Sequence, residues 1–275
     1  MVGLSLLLGA CSAARLAYER LDWLARWKVN SYVSLTEAQT AHFDAGFAEA
    51  WRWHRTQELP QWIAELRQLA AAVDAPLSAE QIDALTNRYS ASAERTLARL
   101  APLACAIGVS LSDQQVEELL DAVDDDIEEF REEQVEPSDA AVRRFNLKKL
   151  EKTLRRNLGA LTPAQQAQIQ AWNDARPSAA AAGLAYRERW RSALATQLAQ
   201  RQDPAFCAAL TALITDGEAL ASEAEKRVFA ANRAQWQTMF VELAPTLGDA
   251  QREHLRERLA TTADELAELL AARPE

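Results

Sequence analysis

Apolar residues recur every three or four positions along most of the chain. Phe43, Phe47 and Trp51 succeed one another on one helical face, and Trp62, Leu66, Leu69 and Val73 continue the pattern. Val116, Leu119, Val123, Ile127 and Phe130 form a further stripe, as do Leu147, Leu150, Leu154 and Leu158, and then Leu255, Leu259, Leu266 and Leu270. Such spacing marks amphipathic helices that bury one side, whereas a half-buried strand would alternate with period two. The helix starts are marked as well. A five-residue signal, Leu-Ser/Thr-x-x-Gln, places Thr36 before Gln39, Ser78 before Gln81, Ser112 before Gln115 and Thr162 before Gln165. Each predicts a capping box, in which the hydroxyl accepts from the N–H three residues on and the glutamine reaches back to the cap N–H. Gly248 and Gln251 make a weaker fifth copy, and Asp203-Pro204 is a comparable start, with an acidic cap and proline at the first helical position.

These signals predict an all-α, elongated antiparallel bundle of seven or eight helices, with spans near 13–33, 36–73, 78–106, 112–134, 138–158, 162–200, 204–243 and 249–272. Pro60 and Pro177 are expected to kink or break the second and sixth. The interval from Thr36 to Ser78 nearly equals that from Thr162 to Asp203, and Leu-Ala-Pro occurs at 100–102 and again at 243–245. The reading is two duplicated three-helix units, 35–135 and 161–275, joined by a connecting helix at 136–160 and preceded by an N-terminal helix at 11–34; the alternative is that helices of similar length repeat their caps by convergence.

Composition agrees with helix: the 275 residues include only 8 Gly and 9 Pro. A formal net charge of -10 argues against a surface that neutralises phosphates, so nucleic acid is not an expected partner. The charge is nonetheless patterned. Acidic residues crowd 121–139, with Asp124, Asp125 and Asp126 in succession, and basic residues crowd 143–156, beginning with Arg143 and Arg144. The simplest expectation is two solvated faces paired across a turn near Pro137. The alternative is that the acidic helix attracts a basic client, or holds Ca²⁺ loosely, while the basic one faces lipid headgroups or an acidic partner.

Signatures of catalysis are lacking. His42, His54 and His254 form no metal-ligand spacing with one another, and the chain has neither a glycine-rich phosphate loop nor a nucleophile elbow. No metal, cofactor or catalytic residue is therefore expected, and an enzyme acting on cell wall or lipid ranks third among the functional classes. Aromatics concentrate early, with Trp23, Trp27, Trp51, Trp53 and Trp62 in the first quarter of the chain. Most are expected in the core, but Trp51 and Trp53 cannot share a helix face, which leaves room for a partner surface.

The run Val2 to Ala10 closes in Leu8-Gly9-Ala10-Cys11, which resembles a bacterial lipobox. It implies a signal peptide at 1–10 and acyl chains on Cys11, with Ser12 resembling the sorting signal for the outer membrane. No Lys or Arg precedes the run, so the start of translation is expected further upstream. Lipidation of Cys11 would leave Cys105 and Cys207, which either pair in an oxidising periplasm or serve as small buried apolar residues. Cys11, Tyr18, Asp22-Trp23-Leu24 with Trp27 and Tyr32, Leu35-Thr36 with Gln39, Trp53-His54-Arg55 with Glu58-Leu59-Pro60, and Leu158-Gly159 with Leu161-Thr162 and Gln165 together resemble a family of proteobacterial envelope lipoproteins whose domain has no known function. More loosely, the Leu-Thr-x-x-Gln signal looks like that of the periplasmic Spy and CpxP chaperones. The resemblance implies a lipid-anchored protein of the bacterial envelope, on the outer membrane's inner leaflet and facing the periplasm. It is expected to bind other proteins, as a chaperone-like cradle for unfolded clients or, alternatively, as a structural or assembly lipoprotein with one fixed envelope partner.

Overall fold

A computed structural model describes residues 20–271, which are all-α with no strand among them. The leader, Cys11 and Tyr18 lie outside the described residues. Eleven α-helices follow in chain order: α1 (Leu21–Asn30), α2 (Glu37–Gln57), α3 (Leu59–Ala71), α4 (Ala79–Ser110), α5 (Asp113–Gln134), α6 (Asp139–Leu158), α7 (Pro163–Ala175), α8 (Ala180–Ala199), α9 (Phe206–Thr215), α10 (Glu223–Leu243) and α11 (Asp249–Ala271).

The expected seven or eight helices become more because three long spans are broken. Pro60, which has no N–H to donate, sits at the start of α3 and ends α2 one turn earlier. Pro177 separates α7 from α8 in the same way. The third break lies inside 204–243, where Ser222 and Glu225 form a capping box of their own and start α10. Asp203 caps only a turn, accepting from Ala205 N–H at 2.7 Å, and α9 begins at Phe206. Conversely, Pro102 lies within α4, which runs on to Ser110.

All four full capping boxes form as expected, on Thr36, Ser78, Ser112 and Thr162, and Gly248 keeps the half that its backbone allows, donating to Gln251 Oε1 at 3.2 Å. Two pairs of them do more than cap. The amides of Gln39 and Gln115 donate to each other's oxygens, at 3.1 and 2.7 Å. Those of Gln165 and Gln251 do the same, at 2.9 and 3.0 Å. Each pair also ties in the residues around it: Gln39 donates to Ser110 and Gln115 to Ser34 O, just as Gln165 donates to Thr246 and Gln251 to Ala160 O. All four glutamines are buried. Every amide group thus finds a partner, as burial in a low-dielectric interior requires. Leu-Ala-Pro does not follow this correspondence. Its first copy lies inside α4, and its second forms the 3-10 turn Ala244–Thr246 immediately before Leu247.

Three buried clusters hold the helices. One joins Val116, Val123 and Ile127 of α5 to Leu194 and Leu198 of α8 and to Phe206 and Leu210 of α9. Another packs Leu59, Ile63, Leu66 and Ala70 of α3 on Leu259, Ala263, Leu266 and Leu269 of α11. The last gathers Leu154 and Leu158 of α6, Ile169 of α7 and Leu243 of α10. The contacts cross the chain: α8 and α9 pack on α5 and α4, and the C-terminal α11 on α3. Cys105 of α4 and Cys207 of α9 are joined in a disulfide, their Cα atoms 5.2 Å apart across 102 residues of sequence. Gly108 allows that crossing, since a Cβ there would lie 2.9 Å from the ring of buried Phe206.

Candidate functional site

The two edges of α5 are electrostatically different. Towards α8 its charges are met: Arg191 holds Asp124 with two hydrogen bonds, one of them 2.8 Å, Arg131 reaches Glu188 at 3.0 Å, and Arg201 bonds Asp113. The acidic helix therefore pairs with α8 and not, as its sequence predicts, with the basic run across the Pro137 turn, where only Asp139 and Arg143 pair. Towards α1 the picture reverses. Gln114, Glu117, Glu118, Asp121 and Asp125 line an open cleft of about 420 Å³ closed on its other side by Ser31 and Tyr32. Their spacing puts them on one stripe of α5. Among the described residues no cation pairs with Glu117, Asp121 or Asp125.

The rim of this cleft is built by the chain entering α2. Tyr32 packs against the first core cluster and its hydroxyl donates to Asp126. Lys28 stands 4.4 Å above the Tyr32 ring, and its ammonium is held above the usual lysine range, first by the Tyr32 hydroxyl and then by Asp126 and Glu129. Burial, together with the bond to Asp126, pushes the Tyr32 phenol up. Ser34 Oγ donates to Glu118 and keeps that carboxyl below the usual range. Lys28 thus answers Asp126 and Glu129, while the stripe along the cleft floor keeps its negative charge. One helical turn, about 5.4 Å, separates successive carboxylates on that stripe. They do not converge on a single ion, and among the described residues no cluster able to hold a metal occurs.

Beside the cleft, α1 carries Trp23 and Trp27, which are 56% and 59% exposed and share one face. The helix is fixed by Arg26, whose guanidinium grips Asp44 of α2 with bonds of 2.9 and 2.7 Å. Of the other tryptophans proposed for a partner surface, two have internal partners. Trp51 stacks on Phe47 and on His54, Trp62 donates to Ser92 and meets Tyr89 edge-on, and Trp53 is half-buried. Arg143 is likewise structural, donating to the carbonyls of Asn173 and Arg176 at the end of α7, whereas Arg144 is exposed. Asp124 is paired, Asp126 bonds Tyr32, and Asp125 alone of the three faces the cleft. Glu117 and Glu118 carry no sequence motif of their own, and Tyr32 enters the sequence reading only through the family resemblance. The signal that finds the cleft stripe is the helical step from Glu117 to Asp121 to Asp125.

A second titratable cluster lies at the α2–α3 break. The Glu58 side chain is 1% exposed and accepts from Arg95 Nε at 2.7 Å, Arg95 Nη2 at 2.8 Å and Ser92 Oγ. Arg95, ahead of Ser92, holds this carboxyl below the usual range, and burial lowers the nearby His54 against the opposing pull of Glu58. Both carboxylate oxygens are occupied and neither of the two clefts described, both on α5, opens onto them. The cluster is a junction between helices that no local sequence signal announces.

The family of unknown function DUF6279 matches residues 31–227. Neither the curated proteins nor the solved structures include a match. The match covers most of the chain, including the acidic cleft and three of the four paired glutamines, and the protein belongs to this family.

Proposed function

We propose that this member of the DUF6279 family is a lipid-anchored binding protein of the bacterial envelope, which holds a basic segment of one fixed partner protein in the cleft between Tyr32 and α5. The observation that carries the reading is the asymmetry of α5: three carboxylates facing the cleft have no cation among the described residues, although the opposite edge of the same helix is tied to α8 by the Arg191–Asp124 and Arg131–Glu188 pairs. A lysine- or arginine-bearing segment would supply the missing charge, and Trp23 and Trp27 would give it apolar contact. The lipobox resemblance at Cys11 and the Cys105–Cys207 disulfide support an exported, anchored protein. No described helix is long and apolar enough to cross a membrane. A fixed partner is favoured over a cradle for unfolded clients by the distribution of exposed apolar side chains. Apart from Trp23 and Trp27, those among the described residues are Leu97 and Val109, about three turns apart on α4, Phe145 on α6 and Leu270 on α11, which form no run along one helix face.

Fluorescence anisotropy with a labelled lysine-rich helical peptide tests the cleft. The triple variant Glu117→Gln, Asp121→Asn, Asp125→Asn is expected to weaken binding about tenfold at low salt, the sum of three exposed pairs. Equal affinity of wild type and variant would overturn the reading, and suppression of an unrelated client's aggregation would restore the cradle. Labelling with a radioactive fatty acid, present in wild type and lost in Cys11→Ser, tests the anchor.

A further inference from the structure

The basic helix α6 is not accounted for by the acidic cleft. Its apolar residues Leu147, Leu150, Leu154 and Leu158 face the third core cluster. Its opposite face carries Arg144, Lys148, Lys149, Lys152 and Arg156, all exposed. Twelve residues separate the first from the last, so the stripe is about 18 Å long. Among the described residues no carboxylate pairs with any of these five cations, although acidic residues outnumber basic ones by 40 to 30 and arginines on several other helices, among them Arg26, Arg88, Arg99, Arg191 and Arg256, each hold a carboxylate. Glu151 of the same helix turns to Arg155 instead, at 3.5 Å. Amid the cations stands Phe145, 44% exposed, with the Lys149 ammonium 4.1 Å above its ring.

A protein of net charge -10 gains nothing internally from leaving five cations unpaired on one face. The face is moreover the outer side of a helix whose other side is buried, and neither described cleft lies on it. A recessed pocket would select one small anion. A convex row of cations with a single exposed aromatic instead matches a surface that repeats its negative charge, with Phe145 entering at headgroup level. We propose that α6 is a docking face for an anionic phospholipid bilayer, acting as an electrostatic contact separate from the Cys11 anchor and from the cleft.

Flotation with lipid vesicles tests this, using the full chain carrying Cys11→Ser so that acyl chains contribute nothing. Vesicles of phosphatidylcholine with about one third phosphatidylglycerol are compared with phosphatidylcholine alone. Wild type is expected to prefer the anionic vesicles, and the variant Arg144→Gln, Lys148→Gln, Lys152→Gln, Arg156→Gln to lose that preference by roughly 600-fold, since each of the four basic residues near such a surface is worth about fivefold. High salt should erase the preference in wild type, because the Debye length falls to about 3 Å near 1 M. The charge-conserving variant Arg144→Lys, Lys148→Arg, Lys152→Arg, Arg156→Lys should retain it, and unchanged melting of both variants separates loss of contact from loss of fold. Equal partitioning of wild type into both vesicle types would overturn the proposal. Salt-sensitive dimerisation in sedimentation velocity, removed by the α6 variant in the absence of lipid, would also overturn it and would make the acidic face of a second copy the occupant. The outcome is independent of the peptide assay on the cleft, whose carboxylates this variant leaves in place.

Discussion

Replacing Arg95 by methionine should expose the cost of burying Glu58. In the native protein the carboxylate is almost wholly buried and takes three hydrogen bonds, two from the Arg95 guanidinium and one from Ser92. The arginine itself is 45% exposed. The two partners are therefore unequal. Glu58→Gln removes the charge and leaves a guanidinium that water can solvate, a loss of about 1–2 kcal/mol from the charge-assisted hydrogen bonds. Arg95→Met leaves a buried, uncompensated carboxylate. Breaking a buried pair in this direction costs about 3–5 kcal/mol, and the partial exposure of Arg95 places the expectation at the lower end. The pH dependence separates this from simple loss of packing. In wild type the Glu58 pKa is depressed, so its contribution is present above the unfolded carboxylate value and is lost as pH falls through the folded one. In Arg95→Met the depressing partner is gone and burial raises the pKa. The variant's penalty is then largest at neutral pH and shrinks as acid neutralises the carboxyl. Urea unfolding followed by circular dichroism, at neutral pH and again near pH 4, measures the difference. A penalty that is the same at both pH values, or a Glu58→Gln variant less stable than Arg95→Met at neutral pH, would refute the reasoning.

Other consequences are open to the same measurement. Reducing the Cys105–Cys207 bond, which closes 102 residues, should cost about 4–5 kcal/mol, and the double variant Cys105→Ala, Cys207→Ala should melt at one temperature with or without reductant. Gln115→Met and Gln251→Met should each cost about 2–4 kcal/mol in urea unfolding, since each strands its partner amide, a backbone carbonyl and a helix-cap N–H. Losses that differ by more than about 2 kcal/mol would contradict the equivalence of the two pairs. Gly108→Ala should destabilise by about 1–3 kcal/mol because the Phe206 ring is fully buried and cannot give way, whereas Gly217→Ala, with nothing within 4 Å, should be nearly neutral by thermal melting. Acidifying through the range just below pH 6.5 should cost stability through His54, which burial keeps neutral in the fold, and His54→Gln should flatten that part of the profile.

Much of the fold was written locally. A capping box is closed by side chains three residues apart, so Thr36, Ser78, Ser112 and Thr162 name their helix starts without reference to anything distant, and the apolar stripes name the buried faces in the same way. Ser222 with Glu225 was legible by the same rule, but it follows Ala221 and ends in an acid, and a search for Leu-Ser/Thr-x-x-Gln passes over it. The proline at 60 announced a break, yet nothing near it announced that Glu58 would meet Arg95 and Ser92 of another helix. What the three-residue rule could not contain was the second use of the glutamines. Gln39 caps its own helix from the sequence alone, but that its free amide meets Gln115, as Gln165 meets Gln251, depends on how distant helix starts are brought together. The acidic cleft has the same origin. The sequence by itself determined that α5 is an amphipathic helix crowded with carboxylates. Only the tertiary structure, by setting the arginines of α8 along one edge and Tyr32 along the other, decided which of those charges are cancelled and which remain to attract a partner.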